Sequence, residues 1–404
     1  MRKSILLCLC TLTFTVQSQT IINFQDSKLK EYLIDKGFDS NNDLEIDTDE
    51  ALAVTTMKHT YVLGPRNLVD LAPFTNLISI VVGENSSVYS IEVHNLPSFK
   101  KLEILGSGVQ VYSLKNLPEM TELDMMKPYY LRDVYIENTP TLTTFNSSVG
   151  GVDNLTIIDA PGISGYSVFG TPYVHLKNTG APKDNRLSFG SSIDVSGSRY
   201  CHVENIAGLN EIGFFLWEDV DTKIIHNLDL HNITIDGESS FDSLDLRTNV
   251  NIQEIRWDRD YSRSYQTGID TGTSYMNIVG LDSLKRFDKS SDFLITELVM
   301  NSLPSLEELY ISSVEISEIN CDSFPNLQYL MVDNFIQRLI AKNSSKLIKI
   351  ERHKNTDLPY QPSYVEIGNC PNLYYVNFER TFRPDSVVLY DLPKHQDKSD
   401  GWSY

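Results

Sequence analysis

Residues 39–50 carry the densest run of oxygen donors in the chain: Asp39, Asn41, Asp43, Glu45, Asp47 and Glu50. Counted from Asp39, side-chain donors fall at positions one, three, five, nine and twelve, with apolar Ile46 at eight. A hard cation such as calcium takes oxygen ligands from a loop spaced in this way. Alternate side chains wrap the ion, Glu45 offers its backbone carbonyl at position seven, and Glu50 closes the loop bidentately. Leu44 stands at position six, where the sharp bend uses a positive φ that a β-carbon disfavours. A weakened calcium affinity is therefore expected. The same residues also describe a solvated acidic turn in which Asp39 accepts hydrogen bonds from the loop.

Such a loop needs rigid flanks. Just before it, Leu29, Tyr32, Leu33 and Lys36 recur at helical spacing, with Asp26 near the start and Gly37 just after the end. This predicts a short amphipathic helix over residues 25–36. Its place ahead of a repeated region predicts a cap for the first repeat, which would otherwise leave a sheet edge unpaired.

Behind the cap the chain repeats itself. Residues 301–347 say one phrase three times: a turn residue, a spacer, then three apolar positions with fixed gaps. Aligned on Leu306, Leu327 and Leu347, the steps are 21 and 20 residues. The same template fits Leu77 with Ile80, Phe99 with Leu102, Met120 with Leu123, Leu142 with Phe145, Ile252 with Ile255, Leu284 with Phe287 and Leu373 with Val376. Ile212 with Phe215 fits loosely. A period near twenty is the signature of a solenoid.

About ten residues after each phrase comes a second, β-branched one: Val88, Ile91 and Val93; Leu131, Val134 and Ile136; Ile295, Leu298 and Met300; Ile316, Ile319 and Cys321. Alternation of this kind predicts short strands with one buried face. Two strands and two turns make a coil that buries its apolar edge only when neighbours stack. Asn95, Asn116, Asn138, Asn343 and Asn369 recur between the phrases in fixed phase. An Asn at a repeated turn can satisfy backbone groups that the bend leaves unpaired.

The repeats over residues 70–393 resemble those of secreted bacterial leucine-rich-repeat proteins of the internalin-like branch. Residues 39–50 resemble the EF-hand-like segment found ahead of such repeats. The resemblance implies an α/β to mostly-β solenoid with two short strands per coil and a short N-terminal helical cap. It also implies an extracellular binding role and calcium in the loop. The implied division is a signal peptide over 1–18, a cap with the EF-hand-like loop over 19–69, the solenoid over 70–393 and a tail over 394–404. Many Leu positions hold Ile, Val, Phe or Met, and residues 147–205 and 257–280 are hard to phase.

Charge and targeting agree with this. The net charge is −20, which argues against nucleic-acid binding, since that rests on Lys and Arg neutralising phosphates. Arg2 and Lys3 precede a short apolar run ending near Ser18, the pattern of a secretory signal. No later stretch is apolar and long enough to span a bilayer. A secreted or cell-surface protein of unknown oligomeric state is expected.

The period of two turns Leu309 and Ile311 inward and Glu308 and Tyr310 outward. Stacking the outward positions gathers Glu308, Tyr310, Tyr329, Met331 and Tyr375 near the C-terminal end, a candidate surface for an extracellular protein or glycan. A strand face also simply tolerates tyrosine. The eight His residues show no metal spacing, and no phosphate loop or nucleophile elbow is present. Cys201, Cys321 and Cys370 are odd in number and predict buried free thiols. A non-enzymatic binding protein is the first reading. A polysaccharide-degrading enzyme on a β-helix and a structural surface spacer are the alternatives.

Overall fold

In a computed structural model the described residues are 20–59, 65–106, 108–125, 131–147, 152–163, 171–180, 192–194, 199–215, 219–236, 240–241, 243–258, 275–289, 295–312, 314, 316–332, 336–352, 363–377 and 385–392. The signal segment, the tail, the strand-like piece at 187–189, and nearly all of the Arg- and Tyr-rich insertion after Trp257 lie outside them.

The chain is a mostly-β solenoid with two strands per coil. On one face, Thr56–His59 begins a five-stranded parallel sheet that ends at Thr144–Ser147. A nine-stranded sheet on the same series of phrases then runs from Ser192–Asp194 to Tyr375–Asn377. On the second series, a nine-stranded sheet runs from Asn67–Leu68 to Ser240–Phe241, followed by sheets of three and four strands. The first coil's strands thus begin N-terminal of residue 70.

The apolar template explains the core. Leu77, Ile80, Phe99, Leu102, Met120, Leu123 and Leu142 are all fully buried and belong to one continuous cluster. Each contributes roughly 1.5–3 kcal/mol of burial. Phase is corrected at one place. Ile212 pairs in register with Ile233, and that row continues through Ile255, Phe287 and Leu309. It therefore fills the second apolar slot, and Leu209, also buried, fills the first. Three fully or nearly fully buried free cysteines, Cys201, Cys321 and Cys370, occupy core slots as expected.

The repeated asparagines adopt the left-handed conformation, with φ of 58° at Asn95, 53° at Asn116 and 52° at Asn138. Their side chains link coil to coil: Asn116 Nδ2 donates to Asn95 Oδ1 at 2.7 Å, and Asn138 Nδ2 to Asn116 Oδ1 at 2.9 Å. Asn is among the few residues that tolerate this conformation. A second, buried pair follows in the middle coils. Asn249 Oδ1 accepts from Asn227 N at 2.9 Å, and Asn227 Oδ1 accepts from Ile206 N at 3.0 Å.

The N-terminal end is closed by α1 (Ser27–Asp35), whose Leu29 and Leu33 are fully buried, and by α2 (Thr48–Ala53). Asp26 joins cap to coil. One carboxylate oxygen caps α1 at Lys28 N (2.9 Å), and the other accepts from Arg66 N and Asn67 N at 2.8 and 2.9 Å. At the other end the Tyr390 ring lies against Gly368, where any β-carbon would collide with it.

Candidate functional site

The acidic loop sits between α1 and α2. Leu44 does take the positive φ (65°) that its β-carbon disfavours, and its side chain points into solvent. Asp39 holds the bend: its two oxygens accept from Asp43 N at 3.2 Å and Leu44 N at 3.0 Å. Asn41 Oδ1 accepts from Asp43 N at 2.8 Å and Asp43 Oδ1 from Glu45 N at 2.9 Å. The Glu45 carboxylate pairs with Lys30 at 2.6 Å, which leaves its carbonyl as the loop's own donor.

Asp47 and Glu50 form a reciprocal capping box on α2. The other Glu50 oxygen accepts from Ser40 N at 2.7 Å and Ser40 Oγ at 3.0 Å, so it spans the loop. Burial raises the Glu50 pKa, but the N–H donors of Asp47, Ser40 and Asn41 outweigh it and leave the net value lowered. Ile46 O accepts from Ile22 N at 2.8 Å and pins the loop's apolar position to the chain's first described residues.

The loop takes the expected bend, while its carboxylates are turned to loop N–H groups. Among the described residues, no three His, Cys, Asp or Glu side chains are gathered around one point as a metal site.

The C-terminal outward face is a set of registered rows. Glu308, Tyr329, Lys349 and Tyr375 stand side by side on four successive strands, and Tyr310, Met331, Glu351 and Asn377 form the adjacent row. All five residues singled out from the sequence thus share one patch, and each is half-buried. Polar contacts fix the position of Tyr375. The Lys349 ammonium lies over the Tyr375 ring at 5.1 Å and pairs with Glu351, and Asn377 Nδ2 donates to the Tyr375 hydroxyl at 3.0 Å.

The residue missed by the sequence reading is Arg286. Its guanidinium reaches Glu308 at 2.8 Å, Asp288 at 2.7 Å and Glu254 at 3.5 Å, and lies over the Tyr310 ring at 5.1 Å. Burial, and then a hydrogen bond and the charge of Glu308, push the Tyr310 hydroxyl up to about 12. Its outward position and the neighbouring acids on adjacent coils were legible. Their convergence required the register.

No protein-family profile matches the chain, and no curated protein matches it. Among solved structures, the chain is similar to an internalin of Listeria monocytogenes, at 11% identity over 90% of this chain and 99% of that one, with a TM-score of 0.25. It is also similar to the functional domain of InlJ from Listeria monocytogenes, described as including a cysteine ladder, at 10% identity, 80% and 76% coverage, and a TM-score of 0.19. A third similarity is to TLR13 in its complex with ssRNA13, at 14% identity, 81% and 58% coverage, and a TM-score of 0.22. No helix among the described residues is long and apolar enough to cross a membrane.

Proposed function

We propose that this chain is a secreted or surface-displayed, non-enzymatic leucine-rich-repeat-like binding protein, and that the C-terminal rows of its first face engage an extracellular protein or glycan. The observation that carries the reading is the alignment of Tyr310, Tyr329, Met331 and Tyr375 in two adjacent rows, with Tyr310 and Tyr375 held by polar neighbours. Rigid aromatic side chains give contact area at low entropic cost. A pre-ordered surface also loses less freedom on binding. The resemblance of the repeats to secreted bacterial leucine-rich-repeat proteins supports the same reading.

The test is binding of the mature protein to arrays of extracellular glycans and cell-surface proteins. A selective partner weakened by Tyr329→Ala or Tyr375→Ala supports the reading. Silence across the arrays moves it to a structural spacer.

Calcium belongs to this proposal as a brace for the cap, held by Asp39, Asn41, Asp43, the Glu45 carbonyl, Asp47 and Glu50. Binding exchanges loop N–H partners for the ion, and the positive φ at Leu44 weakens it. Calorimetric titration of calcium into wild type and Glu50→Gln tests it; equal heats in both would remove calcium from this loop.

One observation favours a second reading. Glu254, Asp288 and Glu308 converge across neighbouring coils, as a polysaccharide-degrading site requires. Arg286 pairs with all of them, which suits a fixed surface better than an acid–base pair with separated proton affinities. Release of reducing ends from any arrayed glycan would decide for the enzyme.

A further inference from the structure

The two ends of the solenoid differ. At the N-terminal end α1 buries Leu29 and Leu33 against the first coil. At the other end the second series of strands finishes on Ser386–Tyr390. That strand pairs with Tyr364–Gly368 on one side and, among the described residues, with nothing on the other. The inward rows show what is left open. Val365 and Ile367 are fully buried, yet their in-register successors are not: Val387 is half-buried and Leu389 is 42% exposed. Val388 and Tyr390 are exposed as well. A strand edge with an uncovered apolar row is a template for one further strand.

The turn after this strand adds an independent observation. Left-handed residues at this turn form a ladder in which the side-chain oxygen of one rung accepts from the amide of the next coil. Asn343 Oδ1 accepts from Asn369 Nδ2 at 2.7 Å, and Asn178 Oδ1 accepts from Asn205 Nδ2 at 2.7 Å. An aspartate also serves as a rung, since Asp159 Oδ1 accepts from Asn178 Nδ2 at 2.5 Å. Asp391, with φ of 47°, takes the rung after Asn369. It is exposed, and among the described residues no donor meets it. One more strand would bring that donor.

Charge selects the occupant. The strand Ser386–Tyr390 carries no charged residue, and Asp385 and Asp391 stand exposed at its two ends. A second copy of this chain would bring a net charge of −20. Antiparallel pairing of two such edges about Val388 would also oppose the Asp385 of one chain to the Asp391 of the other. Basic residues complement both ends.

We propose that the Ser386–Tyr390 edge is a docking site for an extended peptide segment of another protein, added in parallel as one more strand. The segment places apolar residues beside Val387 and Leu389, polar residues between them, and a basic residue at each end. The basic residue that follows the strand donates to Asp391, as Asn178 does to Asp159. Main-chain hydrogen bonds give such a complex its affinity, and the alternate side chains give its specificity. This surface belongs to the second series of strands, apart from the tyrosine rows of the first.

The test titrates the fluorescein-labelled peptide Lys-Ser-Val-Thr-Val-Thr-Lys, amidated at its C-terminus, against the full chain and follows fluorescence polarisation. Amide hydrogen exchange maps where it binds. Saturable binding and new protection within residues 386–390 are expected. Replacing the central threonine of the peptide by proline removes a main-chain donor and should abolish binding. Asp391→Ala should weaken binding about tenfold at low salt, the effect of losing one charge-assisted hydrogen bond. Leu389→Lys should weaken it at least as much, and circular dichroism checks that both variants fold. Should Leu389→Lys not fold, the proline peptide and Asp391→Ala still decide. Absence of saturable binding, equal binding of the proline peptide, or equal affinity in Asp391→Ala would overturn the proposal. So would protection of residues 386–390 that rises with protein concentration in the absence of peptide, the mark of a second copy on this edge.

Discussion

The Arg286 guanidinium donates to the Glu308 carboxylate at 2.8 Å across one strand step of the first sheet. The same guanidinium pairs with Asp288 at 2.7 Å. The side chains are partly exposed, so solvent screens each pair and the network contributes roughly 0.5–1 kcal/mol. Arg286→Ala should lower the unfolding free energy from urea melts by that amount at low salt, and the difference should shrink in high salt. A loss that is insensitive to salt would show that Arg286 acts through packing against Tyr310 instead.

The asparagine ladder separates two contributions at one position. Asn116 combines a left-handed backbone with side-chain hydrogen bonds to both neighbouring coils. Asn116→Gly keeps the backbone and loses the ladder, whereas Asn116→Ala loses both. The alanine variant should be the less stable of the two by about 1 kcal/mol. Equal denaturation midpoints would mean that the ladder alone matters.

Leu44 is a removable strain. Its φ is 65° and its side chain is 67% exposed, so Leu44→Gly sacrifices little burial and relieves the bend. A gain of about 1 kcal/mol in stability of the cap, together with tighter calcium binding, is expected. Loss of stability would show that the Leu44 side chain packs productively in solution.

Acid should loosen the cap through Glu50. Its folded pKa is lowered, so its ionised form contributes stability that is present above the unfolded carboxylate pKa. That stability disappears as pH falls through the folded value. Protection factors at Ser40 and Asn41, with the intrinsic pH dependence of exchange divided out, should fall over that acid range in wild type and be already low and pH-independent in Glu50→Gln. Protection that persists in the variant would contradict the role given to Glu50.

The fold was legible because each coil repeats its apolar template at nearly constant spacing. Leu306, Leu327 and Leu347 are all buried where the period places them. The asparagines were legible for the same reason. What escaped was chemistry created by register. Tyr173 and Tyr200 are 27 residues apart, a step longer than the period, so their stacking and that of His175 with His202 cannot be read from spacing. Arg286 was visible as an outward residue, but its three carboxylate partners come from three different strands. The phase slip at Ile212 arose where the period is interrupted, since two apolar triplets can then fit the same stretch.

The most direct measurement is an alanine scan of Tyr310, Tyr329, Met331 and Tyr375 against a partner captured from the arrays, with Glu122→Ala and Asp124→Ala on the N-terminal coils as controls. If the C-terminal rows are the binding surface, at least one tyrosine should cost about 2 kcal/mol or more in affinity, and the controls should cost nothing measurable. A partner bound equally well by all the tyrosine variants, or lost with the N-terminal controls, would contradict that assignment.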